Sequence, residues 1–210
     1  LNSLQLIPII SPFFKFAQLK GNFCTIWYTT PMVLQNKLVK LRPVRLSDAS
    51  HYVRWFADSE VSRNLLQQCI TLKQERQWIK KLHKSKKAVV FAMDTLEGIH
   101  IGSIGLDDIM KGDNRATYGI VIGDKQYWGR GYGRAASELI LEYGFAKLKL
   151  NRIALTVYEF NQRGIRLYRK LGFKKEGVAR QYVRREGRYY DAIAMSLLKQ
   201  EWRLKRRAYS

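Results

Sequence analysis

A chain of 210 residues can bury a substantial core, and 46% hydrophobic with 26% charged residues is the ordinary balance of a soluble globular protein. Lysine and arginine outnumber aspartate and glutamate 38 to 17, a formal charge of +21 that attracts phosphates, acidic surfaces and nucleic acid and repels polycations. Two cysteines, Cys24 and Cys69, exclude a disulfide framework, and three scattered histidines, His51, His83 and His100, have no metal-site spacing. The expectation is a reducing, cytoplasmic setting, no metal and no membrane.

Residues 4–16 are apolar but interrupted by Pro8 and Pro12, too short to span a bilayer and without the basic flank or small-residue cleavage site of a secretory signal. Residues 1–37 therefore read as an N-terminal extension, with the functional chain expected to begin near Met32. A regular pattern starts at residue 38. Alternation over 38–42 predicts an edge strand stopped by Pro43, and Ser47 is placed to cap a helix whose buried stripe is Tyr52, Trp55 and Phe56. Thr71 and Gln74 have the spacing of a capping box, opening a second helix through His83 with Leu72, Trp78, Ile79 and Leu82 on its apolar side.

Strands are expected at 88–94, 98–106 and 118–122, the first two as a hairpin, with a polar loop at 111–114. A glycine-rich loop then leads into a helix over 132–147, a strand at 152–157, a helix at 162–171, and two strands, 173–183 and 188–198, joined at Glu186-Gly187. The order is β-α-α-β-β-β-α-β-α-β-β, without repeats or a linker to a second domain. One domain over 38–203 and a basic tail over 204–210 are expected.

Two stretches carry chemistry. The first runs from Val121, Ile122 and Gly123 through Trp128, Gly129, Arg130, Gly131, Tyr132, Gly133 and Arg134, a strand end, three alternating glycines and a helix start. Glycines let backbone approach a ligand closely, and free amides at a helix N-terminus favour a pyrophosphate, with Arg130 and Arg134 adding charge. Gly131-x-Gly133-x-x-Ala136 also fits the dinucleotide fingerprint. Against that reading, the glycines do not follow directly on a strand, Glu159 lies too late for a ribose-binding acid, and repeated βαβ alternation is missing. The second stretch is Asn161-Gln162-Arg163-Gly164-Ile165-Arg166-Leu167-Tyr168-Arg169-Lys170-Leu171-Gly172-Phe173. Asn161 and Tyr168 stand seven residues apart, about two turns or roughly 10 Å along one helix face.

Together, W-G-R-G-Y-G opening a helix and N-x-x-G-I-x-L-Y-x-K-L-G-F about thirty residues on resemble the two cofactor motifs of the GNAT superfamily. The tail from Glu176 to Asp191, with Met195 and Trp202, is similar to the branch holding ribosomal-protein N-terminal, spermidine and amino-sugar acetyltransferases. The resemblance implies an α+β GNAT fold: a mixed, mostly antiparallel twisted sheet of about seven strands, splayed between the fourth and fifth and flanked by about four helices. It implies acetyl-CoA as cosubstrate and transfer of acetyl to a primary amine in a ternary complex. It further implies Tyr168 as general acid to the thiolate, Asn161 on the pantetheine arm, strand residues up to Val121, Ile122 and Gly123 beside it, and the amides of Gly129 to Arg134 on the pyrophosphate.

Relatives often carry a glutamate where this chain has Thr117 and Tyr118, so the base is unassigned, and Asp107 and Asp108 are candidates to hold the amine. High positive charge favours a protein N-terminus or an amino sugar over a polyamine as acceptor, and allows ribosome or RNA contact. A monomer or homodimer is expected. The alternative is a noncatalytic basic RNA-binding or CoA-sensing module on the same fold.

Overall fold

The computed structural model describes residues 32–65 and 70–207; expectations for the apolar stretch 4–16, for Cys24 and Cys69 and for the last three residues of the tail lie outside them. The strands are β1 (Leu34–Gln35), β2 (Val39–Pro43), β3 (Val89–Thr95), β4 (His100–Met110), β5 (Arg115–Ile122), β6 (Arg152–Tyr158), β7 (Lys174–Arg185) and β8 (Arg188–Leu198). The helices are α1 (Ala49–Ala57), α2 (Ser59–Ser62), α3 (Leu72–His83), α4 (Tyr132–Glu142), α5 (Gln162–Leu171) and α6 (Lys199–Arg207). One sheet runs in the order β1-β2-β3-β4-β5-β6-β8-β7. Every pairing is antiparallel except β5 with β6.

That parallel pairing is short. Arg115, Ala116 and Thr117 meet Arg152, Ile153 and Ala154, and beyond Thr117 the two strands part. The sheet is therefore notched between Tyr118–Ile122 and the second half of β6. Helices α4 and α5 pack one face through Ala136, Ile140, Ile165, Tyr168 and Leu171, against Ile104, Leu106, Ile153 and Leu155. Helices α1 and α3 pack the other through Tyr52, Trp55, Phe56, Ile79 and Leu82, against Val90, Ala92 and Val121.

Local chemistry explains the element ends. Thr71 and Gln74 form the expected capping box, each side chain accepting from the other residue's backbone N–H. Ser47 does not cap α1: a 3-10 turn over Leu46–Asp48 precedes the helix, and the N-cap position falls on Asp48. The Asp48 carboxylate leaves the α1 amides uncapped because it binds the Arg42 guanidinium through both oxygens, at 2.8 and 2.9 Å, and the Arg45 N–H at 2.7 Å. Such charge-assisted bonds are stronger than a neutral cap.

The helix expected over 132–147 becomes a π turn at Tyr143–Lys147. There Gly144 lies so close to the sheet that a Cβ would meet Leu106 and Ile153 at 2.8–2.9 Å. Leu34 and Gln35, expected to belong to the extension, pair with Leu41 and Lys40. The basic C-terminus is a helix, because Trp202 is buried against Phe145 and donates to Glu142 Oε2 at 3.1 Å.

Helix α3 holds an unusual acid. Glu75 is 1% exposed, and neither carboxylate oxygen has a hydrogen-bond partner among the described residues. Burial pushes its carboxyl up to about 7. A folded-state value raised above the unfolded one stabilises relative to the charged group at low pH, and that contribution is lost as pH rises from about 4.5 through about 7, a swing of about 3 kcal/mol. Glu75→Gln is accordingly expected to stabilise the fold by about 1–3 kcal/mol near pH 8 and by little near pH 5, measured by urea unfolding at both. A difference of equal size at both pH values would show that the carboxyl does not titrate in this range.

Candidate active site

The loop between β5 and α4 is built by its glycines. Gly129 and Gly131 take φ of +76° and +88°, conformations that L side chains rarely adopt. Gly131 sits at the α4 N-cap with no side-chain cap. Ala135 N–H donates back to Gly131 O at 3.0 Å, which leaves the Tyr132, Gly133 and Arg134 amides at the open positive end of the helix. A Cβ on Gly133 would touch Ile122 and Leu167 at 3.4–3.5 Å, so its absence also seats α4 close to β5 and α5. These open amides suit a diphosphate.

The two arginines differ in freedom. Arg134 is held by Glu138 one turn on at 2.8 Å, whereas Arg130 rests near the Tyr127 ring. Arg163, at the start of α5, stacks on Trp128 with its guanidinium 4.6 Å from the ring centroid, bracing the two walls of the notch.

The strand residues divide by direction. Gly123 N–H donates to Ile101 O at 2.9 Å, on the β4 side, so alternation along the strand turns the Val121 amide the same way and the Ile120 and Ile122 edges into the notch. The Ile122 carbonyl is already taken by Trp128 Nε1 at 2.7 Å. Gly123 answers a packing demand instead, since a Cβ there would lie 1.9 Å from the Trp55 ring of α1. The edge that remains for a ligand amide includes Ile120.

Asn161 is the N-cap of α5, its Oδ1 accepting the Gly164 N–H at 2.9 Å. The packing is tight enough that a Cβ on Gly164 would meet the Asn161 side chain at 2.9–3.0 Å. Two turns on, Tyr168 is 8% exposed and stands edge-on to the Tyr118 ring at 5.8 Å. Tyr118 is the first β5 residue beyond the last β5–β6 pair, so Tyr168 lies at the apex of the notch.

The two phenols have different duties. The Ser137 hydroxyl donates its one proton to Gly133 O at 2.6 Å, so Tyr118, 2.6 Å from Ser137 Oγ, is the donor to it. The Tyr168 hydroxyl has no hydrogen-bond partner among the described residues. Burial pushes it up to about 12, keeping it protonated at any working pH. Sequence reasoning singled out Tyr168 as a candidate but not the Tyr118–Ser137 pair behind it, whose contact spans nineteen residues of chain.

Asp107 and Asp108 are not brought to Tyr168. Asp107 pairs with Thr117 on the rung next to the apex, but Leu106 faces the α4–α5 core, so Asp107 points to the opposite face. Burial raises its carboxyl against the pull of the Asp108 N–H. Asp108 is exposed and pairs with Arg115 at 3.3 Å. Among the described residues no group of three or more His, Cys, Asp or Glu could hold a metal ion, and no helix is long and apolar enough to cross a membrane.

Comparison with known proteins agrees with this geometry. The family model "Acetyltransferase (GNAT) domain" matches residues 39–174. The uncharacterized N-acetyltransferase p20 of Bacillus licheniformis is 30% identical over 176 residues, covering 80% of this chain and 97% of the relative. The spermidine N(1)-acetyltransferase of Escherichia coli K12 is 29% identical over 167 residues, covering 78% and 88%. Among solved structures, the Vibrio cholerae spermidine N-acetyltransferase in complex with CoA and spermine superposes with a TM-score of 0.75 at 22% identity, covering 80% of this chain and 99% of that one. A GNAT-family acetyltransferase of Bacillus anthracis gives 0.71 at 23%, covering 81% and 100%. A sheet notched at one parallel pairing, an uncapped glycine-rich helix start and the family match over 39–174 lead to one conclusion: the chain belongs to the GNAT family of acetyl-CoA-dependent N-acetyltransferases.

Proposed function

We propose that this enzyme transfers acetyl from acetyl-CoA to a primary amine in a ternary complex, with Tyr168 as the proton donor to the departing sulfur, and that the acceptor is a protein N-terminal amine or an amino sugar in preference to a polyamine. The observation that carries this reading is the uncommitted Tyr168 phenol at the point where β5 and β6 separate. The amides of Gly129 to Arg134 hold the diphosphate, and the Ile120 and Ile122 edge of β5 orients the pantetheine arm. The thioester supplies an activated acyl group when bound. Asn161 acts chiefly through Gly164, holding the first turn of α5 and so the position of Tyr168.

The proton count needs no outside reagent. The acceptor nitrogen bonds to the acyl carbon as the carbon–sulfur bond breaks, the amine loses one proton and the sulfur gains one. Tyr168 passes its proton to the sulfur and is restored by the proton that the nitrogen gives up, relayed through solvent. At about 12, its hydroxyl is a weaker acid than a thiol in water near 8.5, so it acts as a hydrogen-bond donor that completes transfer when the same apolar surroundings raise the sulfur as well.

Gly131 gives the direct test of the cradle. Replacing it by valine puts a β-branched side chain at φ +88°, and Gly131→Val is expected to raise the calorimetric Kd for CoA by about tenfold or more. Unchanged affinity in a folded variant would take the diphosphate away from this loop. Release of free thiol from acetyl-CoA in the presence of N-terminal peptides, amino sugars and polyamines tests the transfer itself.

A further inference from the structure

On the face of the sheet away from α4 and α5, the ends of β6, β7 and β8 carry an aromatic patch that the acetyl-transfer chemistry leaves unexplained. Ile153, Leu155 and Val157 face the α4–α5 core, so Tyr158 turns the other way, packing with Val183 and Ala192 and with Phe160, Tyr182 and Tyr190. Two guanidinium groups lie over these rings, Arg63 at 5.2 Å from the Phe160 centroid and Arg185 at 5.9 Å from that of Tyr158. Arg185 Nη2 also donates to Leu65 O at 2.8 Å, which draws the segment after α2 across the notch onto the β7–β8 hairpin. With the proposed cofactor cradle on the α4 side, this opposite mouth is the one left for an acceptor.

Two donors are sealed beneath that bridge. Tyr158 is 6% exposed, and neither its hydroxyl nor Arg185 Nε has an acceptor among the described residues. A buried donor left unmatched has given up its hydrogen bond to water and gained none in return. The neighbouring acids are directed at backbone, Glu159 Oε1 at the Asp191 N–H at 2.9 Å and Asp191 Oδ1 at the Gln181 N–H at 2.8 Å, and neither is a partner of the two donors.

We propose that Tyr158 and Arg185 form an anion-reading pair at the acceptor mouth, so that the amine acetylated here is borne on a molecule carrying a carboxylate or phosphate group. This rests on the reading of the notch as an acetyl-transfer site. The anion gives both donors an acceptor and offers the Arg185 guanidinium an oppositely charged partner in place of the uncharged Leu65 carbonyl. That exchange releases the Arg63–Leu65 segment and opens the mouth. A polyamine brings cations against Arg63 and Arg185 and leaves both donors unmatched.

The test uses matched acceptors with acetyl-CoA saturating: glucosamine against glucosamine 6-phosphate, and tetrapeptides with aspartate against lysine at the second position, with spermidine alongside. The anionic member of a pair is expected to be preferred by about tenfold or more in kcat/KM, through KM, and Arg185→Gln to erase that preference. Equal use of both members, a preference for spermidine, or a preference surviving in Arg185→Gln overturns the proposal; the arm that responds identifies sugar or peptide as carrier. A second measurement does not need the true acceptor. With CoA saturating its own site, inorganic phosphate is expected to raise the unfolding temperature of the wild type but not of Tyr158→Phe or Arg185→Gln. No effect on the wild type overturns the anion site alone, whereas failure to bind CoA at all overturns the underlying reading.

Discussion

Tyr168→Phe is expected to lower kcat by about 10²- to 10³-fold while leaving the affinity for CoA within about twofold. The substitution removes one oxygen and keeps the ring that packs on Tyr118 and Phe173. Because the hydroxyl has no partner among the described residues, its loss strands no other polar group, and stability is expected to change little. The neighbouring Tyr118 is no substitute, since its proton is committed to Ser137.

The pH profile gives an independent reading of the same group. A phenol pushed up to about 12 stays protonated across the assay range, so the wild type is expected to gain kcat/KM with rising pH as the acceptor amine deprotonates, near 7.8 for an α-amine and near 10.4 for a lysine-like one. No alkaline decline assignable to Tyr168 is expected below about pH 10. Equal turnover in wild type and Tyr168→Phe, from stopped thiol-release assays, would remove Tyr168 from the proton-donating role.

Arg42→Ala is expected to destabilise the fold by about 3–5 kcal/mol, the range for breaking a buried ion pair by removing one partner. Arg42 is 9% exposed, its Nε 2.6 Å from Asp94 and its two terminal nitrogens on Asp48. Burial alone pushes the Asp48 carboxyl up, but hydrogen bonds from Arg42 and the Arg45 N–H, with the field of His100, bring it below the usual range. Without Arg42 two carboxylates remain under α1. For a domain of this size the loss corresponds to a fall in Tm of roughly 10 °C, read by calorimetry. A carboxylate with a depressed folded value adds stability above its unfolded value and loses it as pH falls, so the deficit is expected to shrink below about pH 4. A deficit constant down to acid pH would show that the carboxylates are not its source.

Both outcomes bear on how much the chain announces by itself. The α5 helix was legible to the residue at each end, because Asn161 is a cap, Gly172 takes φ +100° to end it, and Ile165, Tyr168 and Leu171 repeat at helical spacing. The loop before α4 was legible for the same reason: glycine marks backbone that needs positive φ, as Gly129 and Gly131 do. Gly123 shows the limit of that reasoning, since its missing side chain makes room for Trp55 of a helix more than sixty residues earlier. Arg42 reads as a polar strand residue in sequence, and its two partners lie 6 and 52 positions away.

Sequence alone determined the order of the elements from β2 to β8 apart from the short α2, the glycine-rich loop, the helix bearing Asn161 and Tyr168, and the family resemblance, because each is written in caps, turns and short periodic patterns, whereas β1 and α6 came only with the fold. Tertiary structure decided which tyrosine keeps a free proton, which edge of β5 faces the notch, that Asp107 points away from Tyr168, and that Arg63 and Arg185 meet rings of β6 and its loop. Those outcomes depend on strand register and on contacts between distant segments, and no local propensity encodes either.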